Sequence, residues 1–259
     1  LKNLKTDKRV CSRTPTINCT WGASGITGSM LKFNLFALRP YICYNLIQHG
    51  KCKKQIRKAQ GRKFMEELQR AIENITYFSK KLPKEDLELI GANRDEAIPY
   101  LRKAVEKAIK EKDNLDGEYM LHQYGIFLLA QFQDRDFFPR MMALAALPED
   151  TLDFLIGDVL TEDLGSILYN TYNGDIKLLK QTIKKKKSSD FARAQMLDVM
   201  GQLYLDQKLD KQEWQDFLRE LVYDKKDIGD YIYTAVADMI CRCHFTDMLL
   251  ELRRLYQDG

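Results

Sequence analysis

The stretch Gly157-Asp158-Val159-Leu160-Thr161-Glu162-Asp163-Leu164-Gly165-Ser166-Ile167-Leu168 decides how the chain is read. Its apolar residues Leu160, Leu164, Ile167 and Leu168 recur at three- and four-residue steps, the spacing of one helix face. Extended to Tyr172, the pattern predicts a helix over Thr161–Tyr172, with Asp158 or Thr161 as the residue that caps its start and Asn173-Gly174 as its stop. The same stretch carries Asp158, Glu162 and Asp163, more acid than one helix start requires, so it is also the first place to look for chemistry.

Outward from this point every segment reads as helix. On the N-terminal side, Tyr119–Gln133 is almost continuously apolar, and such a helix must be covered on most sides. Met65–Lys80, Glu85–Gly91 and Arg94–Lys112 precede it. Asp136–Leu147, with Asp134 as its cap and Pro139 in its first turn, follows, and then Glu149–Ile156. On the C-terminal side the pattern predicts Ile176–Lys186 capped by Asp175, Asp190–Asp206 capped by Ser188 or Ser189, Lys211–Tyr223, Asp227–His244 and Asp247–Tyr256. Asp210 and Glu213 have capping-box spacing ahead of the apolar run at Trp214. Long helices start near residues 119, 158, 190 and 227, about 39, 32 and 37 residues apart, each interval enclosing a shorter second helix. The expected fold is all-α: an α-solenoid of HEAT-like antiparallel helix pairs, with a poorly structured N-terminal extension.

Charge divides the chain in two. Of the 41 Lys and Arg, 14 fall in residues 1–64 against a single acid, Asp7, leaving 27 basic and 36 acidic residues in 65–259. The overall net charge of +4 therefore sums a +13 segment and a −9 segment. Residues 1–64 are rich in Ser, Thr, Gly and Asn and show poor helical periodicity. They read as a basic extension that is disordered or foreign to the native domain, with a targeting leader or a basic nucleic-acid or membrane arm as other readings. Met65-Glu66-Glu67-Leu68 resembles a natural protein start. The helical-repeat domain is accordingly placed at 65–259. No run of about 18 apolar residues exists, so no membrane span is expected. Cys241 and Cys243 match no zinc or disulfide framework, and the acidic part reads as reduced and cytoplasmic.

Two blocks resemble a known family. Tyr119-Met120-Leu121-His122-Gln123-Tyr124-Gly125-Ile126-Phe127-Leu128-Leu129-Ala130-Gln131-Phe132 is similar to the first block of domain-of-unknown-function family 1186. Leu147-Pro148 followed by Leu155 to Leu168 resembles its central signature. The resemblance spans about Met65 to Gly259. It implies an all-helical, HEAT-like bacterial protein with no activity to carry over. Some members of the family continue into a Cys-rich SEC-C zinc motif; these 259 residues carry none, and the chain is expected to be short at its C-terminus relative to the family.

Candidate sites are few. Asp158 and Glu162, four apart, can share a helix face as metal-binding carboxylates do, yet acids also gather at helix starts for the dipole. Asp163 completes the cluster, and His122 joins the candidates as the one histidine on an otherwise apolar helix. Cys241-Arg242-Cys243-His244 offers at most three ligands that point apart on a helix, so Cys243 reads as core. Lys184–Lys187 fits a helix C-terminus as well as a phosphate contact. No phosphate-binding Gly-rich loop, HExxH or GxSxG is present. The expected function is a non-catalytic scaffold that binds a protein or peptide partner, with no catalytic residue, metal or cofactor assigned. A metal-assisted hydrolase-type enzyme using Asp158, Glu162 and Asp163 is the alternative, and a nucleic-acid binder the third reading.

Overall fold

The computed structural model describes residues 57–224 and 229–258, with side chains from Met65. Of the basic extension only 57–64 fall within that range, and these are helical rather than poorly structured; the rest of it lies outside the described residues. The described residues form thirteen α-helices and short 3₁₀ turns, with no strand among them; a single antiparallel bridge joins Tyr77 and Tyr119. The all-α expectation is correct.

The first helix, α1 (Arg57–Asn74), is already helical at Arg57 and runs unbroken through Met65, where the composition changes. It stops at Asn74, six residues short of expectation, because the next residues pair elsewhere. Phe78 N–H donates to Glu118 O at 2.8 Å, and Met120 N–H donates to Thr76 O at 2.8 Å. Next come α2 (Lys84–Ala92), α3 (Arg94–Glu111) and α4 (Leu121–Gln131). Gly91, expected as a stop, lies inside α2, which ends at Asn93. The chain continues as α5 (Phe138–Ala145), α6 (Glu149–Ile156), α7 (Val159–Glu162), α8 (Leu164–Thr171) and α9 (Ile176–Ile183). Then follow α10 (Asp190–Leu205), α11 (Lys211–Tyr223), α12 (Asp230–Arg242) and α13 (Leu249–Asp258). The helix expected over Thr161–Tyr172 is thus two helices, α7 and α8, broken at Asp163.

Helices α3, α4, α8, α10 and α12 each pack on the next, while α5 packs on α9 and α11 on α13. Charged pairs stitch the shorter helices to one another: Lys180 of α9 meets Glu213 of α11 at 2.7 Å, and Arg219 of α11 meets Glu251 of α13 at 3.1 Å. Between the two sets lies an apolar interior that fully buries Leu129, Phe138, Met142, Leu168 and Trp214. Tyr231, expected inward on α12, is half exposed and meets the Phe191 ring edge-on instead.

One connection recurs. After α4, α10 and α12 the chain passes through a left-handed residue, Gln133 (φ 53°), Gln207 (φ 59°) and His244 (φ 53°). Each time the next N–H reaches back five residues: Asp134 to Leu129, Lys208 to Leu203 and Phe245 to Ile240, at 3.0, 2.8 and 3.0 Å. This is the Schellman stop, usually signalled by Gly. A tight turn recurs between helices. Pro83, Asp134, Asp175 and Phe245 adopt φ/ψ of −79/64°, −75/81°, −80/77° and −80/76°, and an N–H two residues on bonds Leu82, Gln133, Gly174 and His244 O at 2.9, 2.9, 2.9 and 3.0 Å. These are inverse γ-turns.

Helix ends are held more by distant side chains than by local caps. Asp175 and Asp210 do cap, accepting from Leu178 N–H at 3.0 Å and from Gln212 and Glu213 N–H at 2.8 and 3.1 Å. Asp134 does not. Its buried carboxylate takes both arms of Arg102 from α3, at 2.7 and 2.5 Å, while Arg102 lies over the Phe137 ring. Ser188 and Ser189 reach back to Ala146 O and the Glu149 carboxylate, at 3.0 and 3.1 Å, rather than capping α10. The last carbonyl of α9, Ile183 O, accepts from the buried Arg193 at 2.6 Å.

A left-handed residue with a side chain carries a steric cost that glycine avoids. Gln207 is exposed and in this conformation. Gln207→Gly should therefore raise the unfolding free energy by about 0.5 kcal/mol. A urea titration followed by circular dichroism measures it, and a loss of stability would show that the Gln207 side chain holds the turn.

Candidate functional site

The break between α7 and α8 has a specific cause. In an unbroken helix Gly165 N–H would donate to Thr161 O. Here the carboxamide of Gln195, on α10, stands between them: Gly165 N–H donates to Gln195 Oε1 at 3.0 Å, and Gln195 Nε2 donates to Thr161 O at 2.8 Å. A side chain inserted into the backbone ladder in this way bends a helix while leaving both groups satisfied. Both halves pack on α10. Position 165 must be glycine-sized: a Cβ there would lie 2.5 Å from Gln195 Oε1 and 3.4 Å from Gln195 O. Gln195 was invisible to periodicity, since it lies off the apolar stripe of α10; the Gly inside an expected helix was the available signal.

Around this break the acids separate. Asp158 holds the N-cap position of α7 without a side-chain capping bond, and its carboxylate is exposed, as is that of Glu162. Asp163 is buried, ending α7 and starting α8; its carbonyl accepts from Ile167 N–H at 2.9 Å. Thr161 Oγ1 donates to Asp158 O at 3.3 Å. Gly157, at φ 52°, ends α6 just before. Among the described residues no three His, Cys, Asp or Glu side chains are grouped so as to hold a metal ion.

His122 is brought to the same neighbourhood through α6. It is buried on α4, and its Nε2–H donates to Leu155 O at 2.6 Å; Gln123 Nε2 donates to the same carbonyl at 3.0 Å. Two side chains thus satisfy one carbonyl in the last turn of α6, a group that a helix end leaves without a backbone partner. The carbonyl acceptor fixes the proton on Nε2. Nδ1 is buried without a hydrogen-bond partner. The ring stacks on Tyr119 at 5.6 Å, and the Lys107 ammonium sits 4.2 Å from the Tyr119 ring centre. Burial lowers the His122 pKa; the Leu155 carbonyl pulls it back part of the way, and nearby Lys107 lowers it further. Burial also pushes the Tyr119 hydroxyl up to about 12. His122 therefore acts as a neutral hydrogen-bond donor joining α4 to α6.

The remaining candidates resolve one by one. Cys243 is buried at the end of α12, as expected of a core cysteine, and burial raises its thiol pKa; Cys241 is exposed, and both are free. In the basic run, α9 ends before Lys184, whose ammonium pairs with Glu220 and lies 5.4 Å from the Phe217 ring centre, while Lys185, Lys186 and Lys187 are exposed.

A family model described as "Protein of unknown function (DUF1186)" matches residues 65–259. The chain belongs to this family. Two relatives are each 25% identical to it over 196 residues, covering 74% of this chain and 78% of theirs. One is an uncharacterized protein of Chlamydia muridarum, the other an uncharacterized protein of Chlamydia trachomatis serovar D. No solved structure matches the chain. In this DUF1186 protein the central block of the resemblance, Leu155 to Leu168, contains the segment Gln195 divides.

Two outcomes follow. Helix propensity alone would have Gly165→Ala stabilise by somewhat under 1 kcal/mol. The clash with Gln195 reverses that sign, and we expect a loss of about 1 kcal/mol, the cost of leaving the part-buried Gly165 N–H unpaired, since Thr161 O is exposed. Gln195→Ala should cost a similar amount, and the double variant less than the sum; additive losses in denaturant titration would separate the two residues. The second outcome concerns acid. Because the folded His122 pKa is lowered, the unfolded chain binds the proton first as pH falls below about 6.5. The His122 contribution should be complete above that pH and decline below it, by at most about 1.4 kcal/mol per pH unit. The difference in unfolding free energy between wild type and His122→Gln, followed from about pH 7.5 to 5, should shrink; a constant difference would rule this out.

Proposed function

We propose that residues 65–259 are an α-solenoid of HEAT-like antiparallel helix pairs that serves in the cytoplasm as a scaffold for a protein or peptide partner, acting by docking rather than by chemistry of its own. The observation that carries this reading is the recurrence of one connection: inverse γ-turns at Pro83, Asp134, Asp175 and Phe245, of which the last three have nearly identical φ/ψ and lie 41 and 70 residues apart along the chain. Side-chain contacts repeat with similar sequence separations, 32 residues for Arg102–Asp134, 33 for Lys180–Glu213 and 32 for Arg219–Glu251. Such spacing is what stacking each helix pair on the next would give. Stacked pairs present extended surfaces suited to elongated partners. The use of His122, Asp163 and Gly165 to join helices favours structure over catalysis at the central block. The free cysteines Cys241 and Cys243 fit a reducing compartment, and no described helix is long and apolar enough to cross a membrane.

Cross-linking in cells that express the protein natively, followed by mass spectrometry and by titration of the purified partner, tests the proposal. We expect cross-links on residues of 65–259 and saturable binding that survives Asp158→Ala and Glu162→Ala. A purified protein that turns over a substrate, with turnover lost in those two variants, would overturn it.

A further inference from the structure

Helix α6 is a short segment set between Pro148 and Gly157, the latter at φ 52°. It buries Leu152, Leu155 and Ile156, and it packs on the turn Lys112–Asn114 and on α7. Its side-chain ties sit at its two ends. Ser189 donates to the Glu149 carboxylate at the start, and His122 and Gln123 of α4 share Leu155 O in the last turn. His122 is the tie whose side chain ordinarily changes charge between pH 5 and 8.

The closed arrangement has no place for a second proton on that ring. Nε2–H is already given to Leu155 O, so the proton must enter at Nδ1, which is buried without a hydrogen-bond partner. An imidazolium there would hold both a buried charge and an unsatisfied N–H. The surrounding elements do not offset it. From α3, Lys107 opposes a second cation, and Glu111 acts on Tyr119. The segment before α4 adds Tyr119, stacked on the ring and edge-on to Tyr77, while its Asp116 and Glu118 are exposed. On α8 the titratable side chain is Tyr169, which bonds Asp206. Lys112 and Asp113 of the turn under α6 are exposed, as are Glu149, Asp150 and Asp153 of α6 itself. Burial accordingly lowers the pKa of the ring in the closed arrangement.

We propose that His122 is an acid-sensitive latch, whose protonation releases α6 between Pro148 and Gly157 while α4 and the helices around it stay packed. When α6 lifts, the imidazole meets water and takes up its proton at the ordinary value, near pH 6.5. Falling pH therefore favours the lifted state. α4 stays because α3 and α8 pack on it, whereas α6 is one short helix with three large apolar side chains to withdraw. Release uncovers Leu152, Leu155 and Ile156, an apolar surface that the protein hides at neutral pH.

Amide hydrogen exchange of the full chain, followed from about pH 7.5 to 5 and corrected for the intrinsic rate, tests the latch. The amides of Leu152 to Gly157 should open more often as pH falls below about 6.5, by at most about tenfold per pH unit. Their opening should depend little on added urea, the sign of a local event, and at pH 5 it should exceed that of the amides of Met196 to Met200 on α10 by at least about tenfold. In His122→Gln, which keeps a donor for Leu155 O and gains no charge, the α6 profile should be flat. A flat profile in the wild type, an equal slope in His122→Gln, or one opening constant shared by α6 and α10 at pH 5 overturns the proposal. Should the variant not fold, the wild-type contrast between α6 and α10 decides alone.

Discussion

The carboxamide of Gln195 is the interaction on which the centre of the molecule depends. Inside a protein, a backbone N–H and a carbonyl that have lost each other must find new partners or cost the fold more than a typical hydrogen bond returns. The break at Asp163 creates such a pair, Thr161 O and Gly165 N–H, and a single amide side chain answers both because it carries one donor and one acceptor in the required order. That bridge lets α7 and α8 lean on α10 together. It also ties three elements to the size of one residue, since only glycine leaves room for the carboxamide.

The same logic extends across the chain. Leu155 O is satisfied by His122 and Gln123, Ala146 O by Ser188 and Ile183 O by Arg193. Each of these bonds does two things at once: it finishes one helix and attaches another to it. A helix end closed by a neighbour is worth more to the fold than a locally closed one, because breaking the packing also exposes an unpaired group. The buried Asp134 carboxylate, gripped by both arms of Arg102, follows this pattern with charge added. What looked in the sequence like a concentration of acid in search of a metal therefore separates into exposed carboxylates at a helix start and one buried aspartate at a helix break.

These two facts explain where sequence reading succeeded and where it stopped. Lys211–Tyr223 and Glu149–Ile156 were legible to the residue, because each carries a clear apolar stripe and the first opens at the capping residue Asp210. Cys243 as core was legible from its place beside Met239 and Ile240. The stops at Gln133, Gln207 and His244 were not, because the rule looks for glycine and these turns accept a side chain at positive φ. Ser188, Ser189 and Asp134 misled for a related reason: their type suits a cap, but a better partner waited 32 to 42 residues away along the chain.

The sequence by itself determined that the chain is helical, where most helices lie, which faces are apolar and that residues 65–259 belong with one family. Those properties depend on neighbours three and four residues apart, and a linear reading contains them. The tertiary structure alone decided what Gly157–Leu168 is. A helix over Thr161–Tyr172 was the correct local answer, and it gave way because Gln195, distant in sequence, arrives with the donor and acceptor that make a break cheaper than continuity. Local spacing cannot encode that choice; only the packing of α10 against α7 and α8 makes it.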